Sequence, residues 1–248
     1  MRNIKIEYSF DGRNYFGLQK QKDKLTIQGE IEKALKGLFK QDVNLIICGR
    51  TDRGVSALKA VANFYVNTEI EGEKICYALN QYLPEDIRIF KSEEVDFNFH
   101  SRHSSKNKTY VYSLYESKFL LPNFPFETQF KNKLNYKKMK QAIKYFKGTH
   151  DFTGFVNSAC DIENKVRTIL KTKLIKKEIL GVNHYYFYFT GNGFLYNQVR
   201  IMVGTLILVG LNKLKPKEIK CLLKERSGRY VKHCMPAEGL TLFNIDYK

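Results

Sequence analysis

Acidic residues are scarce in this sequence. Its 248 residues include 25 Asp and Glu against 42 Lys and Arg, which gives a formal net charge of +17. A chain this basic attracts polyanions over a distance, so nucleic acid is the leading class of partner. A Lys-rich composition also follows from an AT-rich genome, but the clustering of the basic residues favours a functional origin.

Cysteines and long apolar runs are scarce as well. The five cysteines are an odd number and lie far apart, which does not predict a disulfide framework and indicates a reducing compartment. The N-terminus lacks the apolar core of a signal peptide, and the longest apolar run, Ile201 to Val209, is too short to span a bilayer. We therefore expect a cytoplasmic protein without a membrane partner.

Metal-ligand patterns are weak. His100 and His103 are spaced as HxxH, and His233 adjoins Cys234, but no CxxC pair accompanies them. We expect neither a metal ion nor an organic cofactor.

Apolar periodicity and turn residues predict an α+β chain. Strands are predicted at residues 3–10, 45–48, 60–66, 108–117, 168–179, 183–191 and 240–246, with two more extended stretches within 86–100. Helices are predicted at residues 27–39 with Thr26 as the N-cap, at 72–82, 136–147 and 195–210, and after Pro216. We expect an N-terminal half, 1–104, and a C-terminal half, 105–248, that share one mainly antiparallel sheet flanked by helices.

A charged loop lies between two predicted apolar strands. It reads Gly49-Arg50-Thr51-Asp52-Arg53-Gly54, and charged groups at the end of a core strand are placed where a ligand can reach them. The glycine spacing is similar to that of a phosphate-binding loop, but Val55 and Ser56 stand where that motif requires Lys and Ser or Thr, which excludes it. The alternative is a loop whose Asp and Arg only cap a turn.

Arg200 stands within an otherwise apolar predicted helix. A buried guanidinium requires a carboxylate, best in bidentate geometry. We expect Asp52 to be this partner, with Glu163 and Glu238 as alternatives. The further alternative is an arginine whose stem reaches solvent.

Tyr110 and Tyr112 share a face of the predicted strand that follows Lys108. A tyrosine in such a place can stack on a nucleic-acid base, and core packing is the commoner alternative. For Tyr112 we expect core packing.

Basic side chains cluster in two stretches. One contains Arg102, His103, Lys106 and Lys108, and the other has seven lysines and no acid from Lys131 to Lys147. Phosphate contacts need charge more than geometry, so both stretches are predicted to contact RNA. The alternative for the lysines is a solvated helix face.

Four segments resemble the tRNA pseudouridine synthase A (TruA) family, in order along almost the whole chain. They are CGRTDRGVSAL, SRHSSKNKTYVYSLY, GNGFLYNQVRIMVG and MPAEGLTLFNIDY. The resemblance implies an enzyme that isomerises uridine to pseudouridine at tRNA nucleotides 38 to 40. It also implies the pseudouridine synthase fold with two ferredoxin-like halves, and a homodimer that grips tRNA.

The same resemblance assigns roles to residues. Asp52 corresponds to the catalytic aspartate, Tyr110 to the active-site tyrosine and Arg200 to the arginine that pairs with the aspartate. Arg50 is similar to the residue that helps to hold the target base out of its helix, and Leu240 lies against that base. Further substrate contacts are expected from Thr51, Arg53, Arg102 and Lys108.

The sequence departs from the usual bacterial pattern at Leu18, Arg53 and Ser56, which lie outside the predicted catalytic trio. Two other functions stay open. One is a synthase of the same family with a different RNA target, and the other is a non-catalytic module built like tandem RNA-recognition motifs.

Overall fold

The computed structural model describes residues 1–157, 159–225 and 233–247, and the chain divides into two compact units. The first unit consists of Met1–Lys106 together with Leu242–Lys248, and the second of Asn107–Thr241. The predicted halves, 1–104 and 105–248, stay a prediction.

The first unit has the βαββαβ order of a ferredoxin-like motif. Its elements are β1 (Arg2–Phe10), α1 (Ile27–Phe39), β2 (Ile46–Ile47), β3 (Ser56–Val66), α2 (Ile75–Asn80) and β4 (Ile87–Val95). A 3-10 turn, Gly72–Lys74, leads into α2. The strands lie in the order β4-β1-β3-β2, and each neighbouring pair is antiparallel.

One face of α1 closes the core of this unit. The helix buries Ile27, Ile31, Ala34 and Leu35, as its apolar spacing predicts, while Leu38 is half-buried. The hydroxyl of Thr26 accepts a hydrogen bond from the Gly29 amide at 3.3 Å, which confirms the predicted N-cap.

The second unit repeats the βαββαβ order with additions. The repeated elements are β5 (Asn107–Glu116), α3 (Tyr136–Ala142), β8 (Val166–Ile179), β9 (Val182–Gly191), α4 (Gln198–Gly210) and β10 (Leu240–Asp246), and the first three of these strands lie in the order β5-β9-β8. Only Leu240 and Thr241 of β10 belong to the second unit, and its remaining residues belong to the first. The additions are β6 (Thr128–Phe130), β7 (Gly148–Asp151), α5 (Glu218–Glu225) and two 3-10 turns, Ile143–Phe146 and Thr153–Phe155. The predicted α+β class, with a large, mainly antiparallel sheet and flanking helices, is confirmed.

Two expectations about elements are wrong. The 86–100 segment forms one strand, β4, because Asp96 begins a turn in which its carbonyl accepts from the Phe99 amide at 2.9 Å. The predicted helix at 136–147 is α-helical only to Ala142 and continues as a 3-10 turn, which ends before Gly148 at φ 118°. Within the described ranges, no helix is long and apolar enough to cross a membrane.

Candidate active site

Asp52 opens a tight turn in the loop between β2 and β3. The Asp52 carbonyl accepts a hydrogen bond from the Val55 amide at 3.2 Å, and Gly54 takes φ 82° at the third position of the turn. A positive φ at that position favours glycine, so Gly54 fits this backbone. Asp52 is half-buried, while Arg50 and Arg53 are exposed. The turn therefore presents one carboxylate between two cations.

A second segment, Gly12–Leu18, holds this loop in place from behind. The Leu18 amide donates to the Thr51 carbonyl at 3.3 Å, and the Gly54 amide donates to the Tyr15 carbonyl at 3.4 Å. The contact is too close for side chains: a Cβ on Gly12 would lie 1.9 Å from the Val55 carbonyl oxygen. Backbone-to-backbone bonds thus fix the Asp52 loop.

Side chains of the same segment reach the loop as well. The guanidinium carbon of Arg53 lies 4.3 Å from the centre of the Phe16 ring, a cation–π contact. The Tyr15 hydroxyl donates to the Asp86 carboxylate at 2.7 Å, and burial followed by this hydrogen bond raises the pKa of Tyr15. Arg53 is consequently held beside Asp52 although it is exposed.

The Thr51 hydroxyl is the polar group next to Asp52 that calls for an explanation. Its oxygen is buried and has no hydrogen-bond partner among the described residues. A buried hydroxyl without a partner is unfavourable, and contact with a bound water or substrate group is one way to satisfy it. Thr51 is therefore suited to a substrate contact.

Tyr110 occupies β5 of the second unit and is 8% exposed. It faces Phe189 across the β5–β9 pair and makes an edge contact with Phe194, with the ring centres 5.1 Å apart. Tyr112, two residues on, is fully buried, as predicted for core packing, and its hydroxyl bonds to Thr128 at 2.7 Å. Burial raises the pKa of Tyr112. Tyr110 thus keeps a small solvent-exposed area, whereas Tyr112 has none.

Arg200 belongs to the first turn of α4, and every other residue of that helix is buried. The half-buried Arg200 donates from Nη1 to the Asn197 side-chain oxygen at 2.8 Å and from Nε to the Met235 carbonyl at 2.6 Å. The carbonyl of Arg200 itself accepts from the Met235 amide at 3.3 Å. These bonds fix the direction of the guanidinium, so its stem does not simply extend to solvent.

The remaining predicted residues of the second unit are Lys108 and Leu240. Lys108 is half-buried on β5 and faces Gly191 of β9. Leu240 begins β10 and is 6% exposed, and its amide donates to the Ala237 carbonyl at 2.9 Å. Lys108 and Tyr110 stand two residues apart on one strand, so their side chains share a face.

Arg102 is exposed in a loop that is anchored by its neighbour. Ser101 is buried and bonds to Asn63 at 2.9 Å and, through its hydroxyl, to the Ile46 carbonyl at 2.6 Å. His100 and His103 lie with ring centres 4.2 Å apart, and burial, followed by the charge of His103, lowers the pKa of His100. No cluster of three His, Cys, Asp or Glu side chains that could bind a metal occurs in the described part of the chain.

The first unit thus brings together Arg50, Thr51, Asp52 and Arg53, and the second contains Lys108, Tyr110, Arg200 and Leu240. The ion pair of Asp52 with Arg200 would join residues of different units and stays a prediction. The alternative pairing of Arg200 with Glu163 or Glu238 stays a prediction as well. Sequence reasoning missed the supporting residues Tyr15, Phe16, Asn197 and Met235. Only Asn197, at the start of a helix, carries a recognisable signal.

Comparison with known proteins places this geometry in context. A family model described as tRNA pseudouridine synthase matches residues 7–119 and 142–248. The protein named tRNA pseudouridine synthase A from Acetivibrio thermocellus is 43% identical over 250 residues, and the protein of the same name from Clostridium acetobutylicum is 40% identical. Both matches cover all of each chain.

Among solved structures, a Cbf5–Nop10–Gar1 complex contains a chain that is 12% identical with a TM-score of 0.35. The match covers 82% of this chain and 54% of that one. A similarity this low carries no argument about function.

Proposed function

The chain belongs to the tRNA pseudouridine synthase family, and we propose that it isomerises uridine to pseudouridine in tRNA with Asp52 as the catalytic carboxylate. The observation that carries the proposal is the family match, which includes the Asp52 loop in the first unit and both β5 and α4 in the second. The braced turn that presents Asp52 supports the residue assignment.

The reaction breaks the bond between N1 of uracil and C1′ of the ribose and forms a bond between C5 and C1′. The uracil must be flipped out of the RNA and retained while it turns, which requires a closed pocket. Asp52 serves by attack on C1′, by attack on C6 of the base, or by assisting a glycal intermediate. Each route needs an ionised carboxylate in a fixed direction, which the backbone bonds of its loop provide.

Arg200 is proposed to keep Asp52 ionised and aimed. A guanidinium has five N–H donors, of which Asn197 and Met235 engage two. Bidentate pairing with a carboxylate uses two more, so one arginine can satisfy all three partners. Glu163 and Glu238 are the alternative partners.

The other predicted residues surround the base in this proposal. Tyr110 stacks on uracil and helps to remove the C5 proton, and Leu240 contacts the base from the far side. Arg50 holds the base out of the RNA, and the Thr51 hydroxyl and Arg53 contact the substrate beside Asp52. Arg102 and Lys108 bind phosphate groups.

The finer features of the proposal rest on the family resemblance. They are uridines at tRNA nucleotides 38 to 40 as targets, a homodimer that grips one tRNA, and a cytoplasmic location. The free cysteines among the described residues are consistent with a reducing compartment. The rival functions are a synthase for another RNA and a non-catalytic RNA-binding module, for which the braced Asp52 loop would be unnecessary.

One experiment separates these functions. Pseudouridine is mapped in all RNAs from cells with and without the protein, and cells that carry the Asp52→Asn variant serve as the control. We expect loss of pseudouridine at tRNA nucleotides 38 to 40 in both mutant strains. Loss at other RNA positions supports the different-target synthase, and an unchanged map contradicts the enzyme.

A further inference from the structure

A cleft lined by lysines lies within the second unit, apart from the predicted site residues. It has a volume of about 700 Å³ and is formed by the 3-10 turn after α3, by β7 and by α5. Its lining residues are Lys144, Tyr145, Lys147, Thr149, His150, Asp151, Lys220, Leu223 and Lys224. We call it the lysine cleft. Ligand pockets in proteins typically have volumes of about 300–1,000 Å³.

The charge of the lysine cleft is one-sided. Lys144, Lys147, Lys220 and Lys224 are exposed, and no ion pair joins any of them to a residue in the described part of the chain. The one acidic lining residue, Asp151, accepts hydrogen bonds from the amide and hydroxyl of Thr153 at 2.9 and 2.6 Å. Four ammonium groups around one cavity make a strongly positive potential.

Two helical segments direct their lysines to this one place. Lys220 and Lys224 are four residues apart on α5, Lys144 lies in the 3-10 turn after α3, and Lys147 follows that turn in extended backbone. Like charges four residues apart are neighbours on an α-helix and weaken it, which applies to Lys220 and Lys224. The repulsion between Lys220 and Lys224 is unfavourable for α5, and an anionic ligand would offset it.

The walls add features suited to a nucleotide chain. Lys220 lies 5.1 Å from the centre of the half-buried Tyr145 ring, and Thr149 and His150 supply further polar groups. Aromatic rings beside lysines are the combination that binds sugar and base next to phosphate.

We propose that the lysine cleft binds backbone phosphates of the tRNA at a place other than the nucleotide being modified. This inference rests on the proposed function, because it takes tRNA as the polyanion. It divides the lysine-rich stretch: Lys144 and Lys147 grip the RNA together with α5, while Lys133, Lys137, Lys138 and Lys140 lie outside the cleft.

The test replaces the four cleft lysines with alanine and measures tRNA binding at several salt concentrations. Removal of each lysine that neutralises a phosphate should reduce the log–log salt slope by roughly one unit. We expect the slope to shrink by about two units or more and the affinity at about 150 mM salt to fall at least tenfold. The matched control, Lys133→Ala, Lys137→Ala, Lys138→Ala and Lys140→Ala together, removes the same charge outside the cleft and should change the slope by less than about one unit.

Three further measurements keep the proposal falsifiable. Thermal melting checks that the variants are folded. The double variants Lys144→Ala with Lys147→Ala and Lys220→Ala with Lys224→Ala should each show about half of the change in salt slope. A variant with arginine at all four positions keeps the charge and should bind tRNA as the wild type does. Equal losses of affinity in the cleft and control variants, or an unchanged slope, overturn the proposal. The proposal is also overturned if the four-alanine cleft variant loses binding to vesicles with anionic lipid but binds tRNA as the wild type does.

Failure of the proposed function has a different signature. A wild-type protein that binds tRNA through the cleft but forms no pseudouridine supports the cleft and contradicts the enzyme. Normal pseudouridine formation with an unchanged salt slope contradicts the cleft alone.

Discussion

At the scale of single residues, backbone hydrogen bonds support the Asp52 loop. Its bonds to Tyr15 and Leu18 involve main-chain atoms only. The loop can therefore keep its shape when the Asp52 side chain changes. A substitution at Asp52 can therefore test the effect on the reaction without an effect on folding.

We expect Asp52→Asn to abolish turnover while tRNA affinity stays within a few-fold, because the amide keeps the shape of the side chain but loses the nucleophile. Tritium release from tRNA labelled at C5 of uridine measures the reaction. Asp42→Asn, at an exposed position of the same unit, is the control and should retain full activity. Near-normal release by the Asp52 variant would remove the carboxylate from its proposed role.

For Arg200 we expect that lysine is not a conservative replacement. An ammonium cannot reproduce the fork that donates to Asn197 and Met235 and still engage a carboxylate. Turnover should fall by well over tenfold, a loss of more than about 1.4 kcal/mol of transition-state stabilisation. Arg167→Lys, at a half-buried arginine of the same unit, should leave turnover within a few-fold. Equal turnover of both variants contradicts the assignment.

At the scale of elements, the Gly12–Leu18 segment should control the catalytic loop. Gly17 has φ 99°, and a Cβ there would lie 2.7 Å from the Thr51 carbonyl oxygen. Gly181 also has a positive φ, 76°, but a Cβ there meets nothing within 4 Å. Gly17→Ala and Gly181→Ala therefore share backbone strain and differ in contact with the Asp52 loop.

Both variants should lose about 1 kcal/mol of unfolding free energy from the left-handed backbone. Gly17→Ala should in addition displace Thr51 and Asp52 and lower kcat at least tenfold, whereas Gly181→Ala should keep kcat within a factor of two or so. Chemical denaturation and tritium release measure the two effects. If Gly17→Ala and Gly181→Ala have the same kcat, the Gly12–Leu18 segment does not position the Asp52 loop.

The elements that sequence predicts well have two independent signals. The start of α1 follows from Thr26 as a cap and from apolar residues on one face. The 136–147 segment has the same apolar spacing in Met139, Ile143 and Phe146, but this spacing does not distinguish an α-helix from a 3-10 turn.

The candidate site also contains residues that the sequence predicts and residues that only the fold reveals. The Asp52 loop is contiguous, so its motif is visible in the sequence. Its brace comes from a segment more than thirty residues away, and the Met235 group that holds Arg200 is a carbonyl, which every residue type has. The α5 side of the lysine cleft is equally remote from the lysine-rich stretch. Such contacts require the fold.

At the scale of the whole molecule, the charge of +17 should dominate tRNA affinity. With four cleft lysines and other basic groups in contact with phosphate, the log–log slope of affinity against salt should be at least about three in magnitude between 50 and 200 mM. Filter binding or fluorescence titration gives the slope, and Asp52→Asn should show the same value. A slope below about one would mean that recognition depends little on phosphates.

The first unit consists of two chain segments that are far apart in sequence, and this determines when the unit can be completed during translation. Residues 242–248 belong to that unit, and near this end the Lys106 amide donates to the Asp246 carbonyl at 2.8 Å and the Tyr247 hydroxyl donates to the Ser101 carbonyl at 2.7 Å. A ribosome that adds about 5–20 residues per second releases the last residues of this unit on the order of ten seconds after Lys106. The unit that contains Asp52 is thus completed only after the whole second unit has been synthesised, and a chain truncated after Thr241 should contain a folded second unit and an unfinished, protease-sensitive first one.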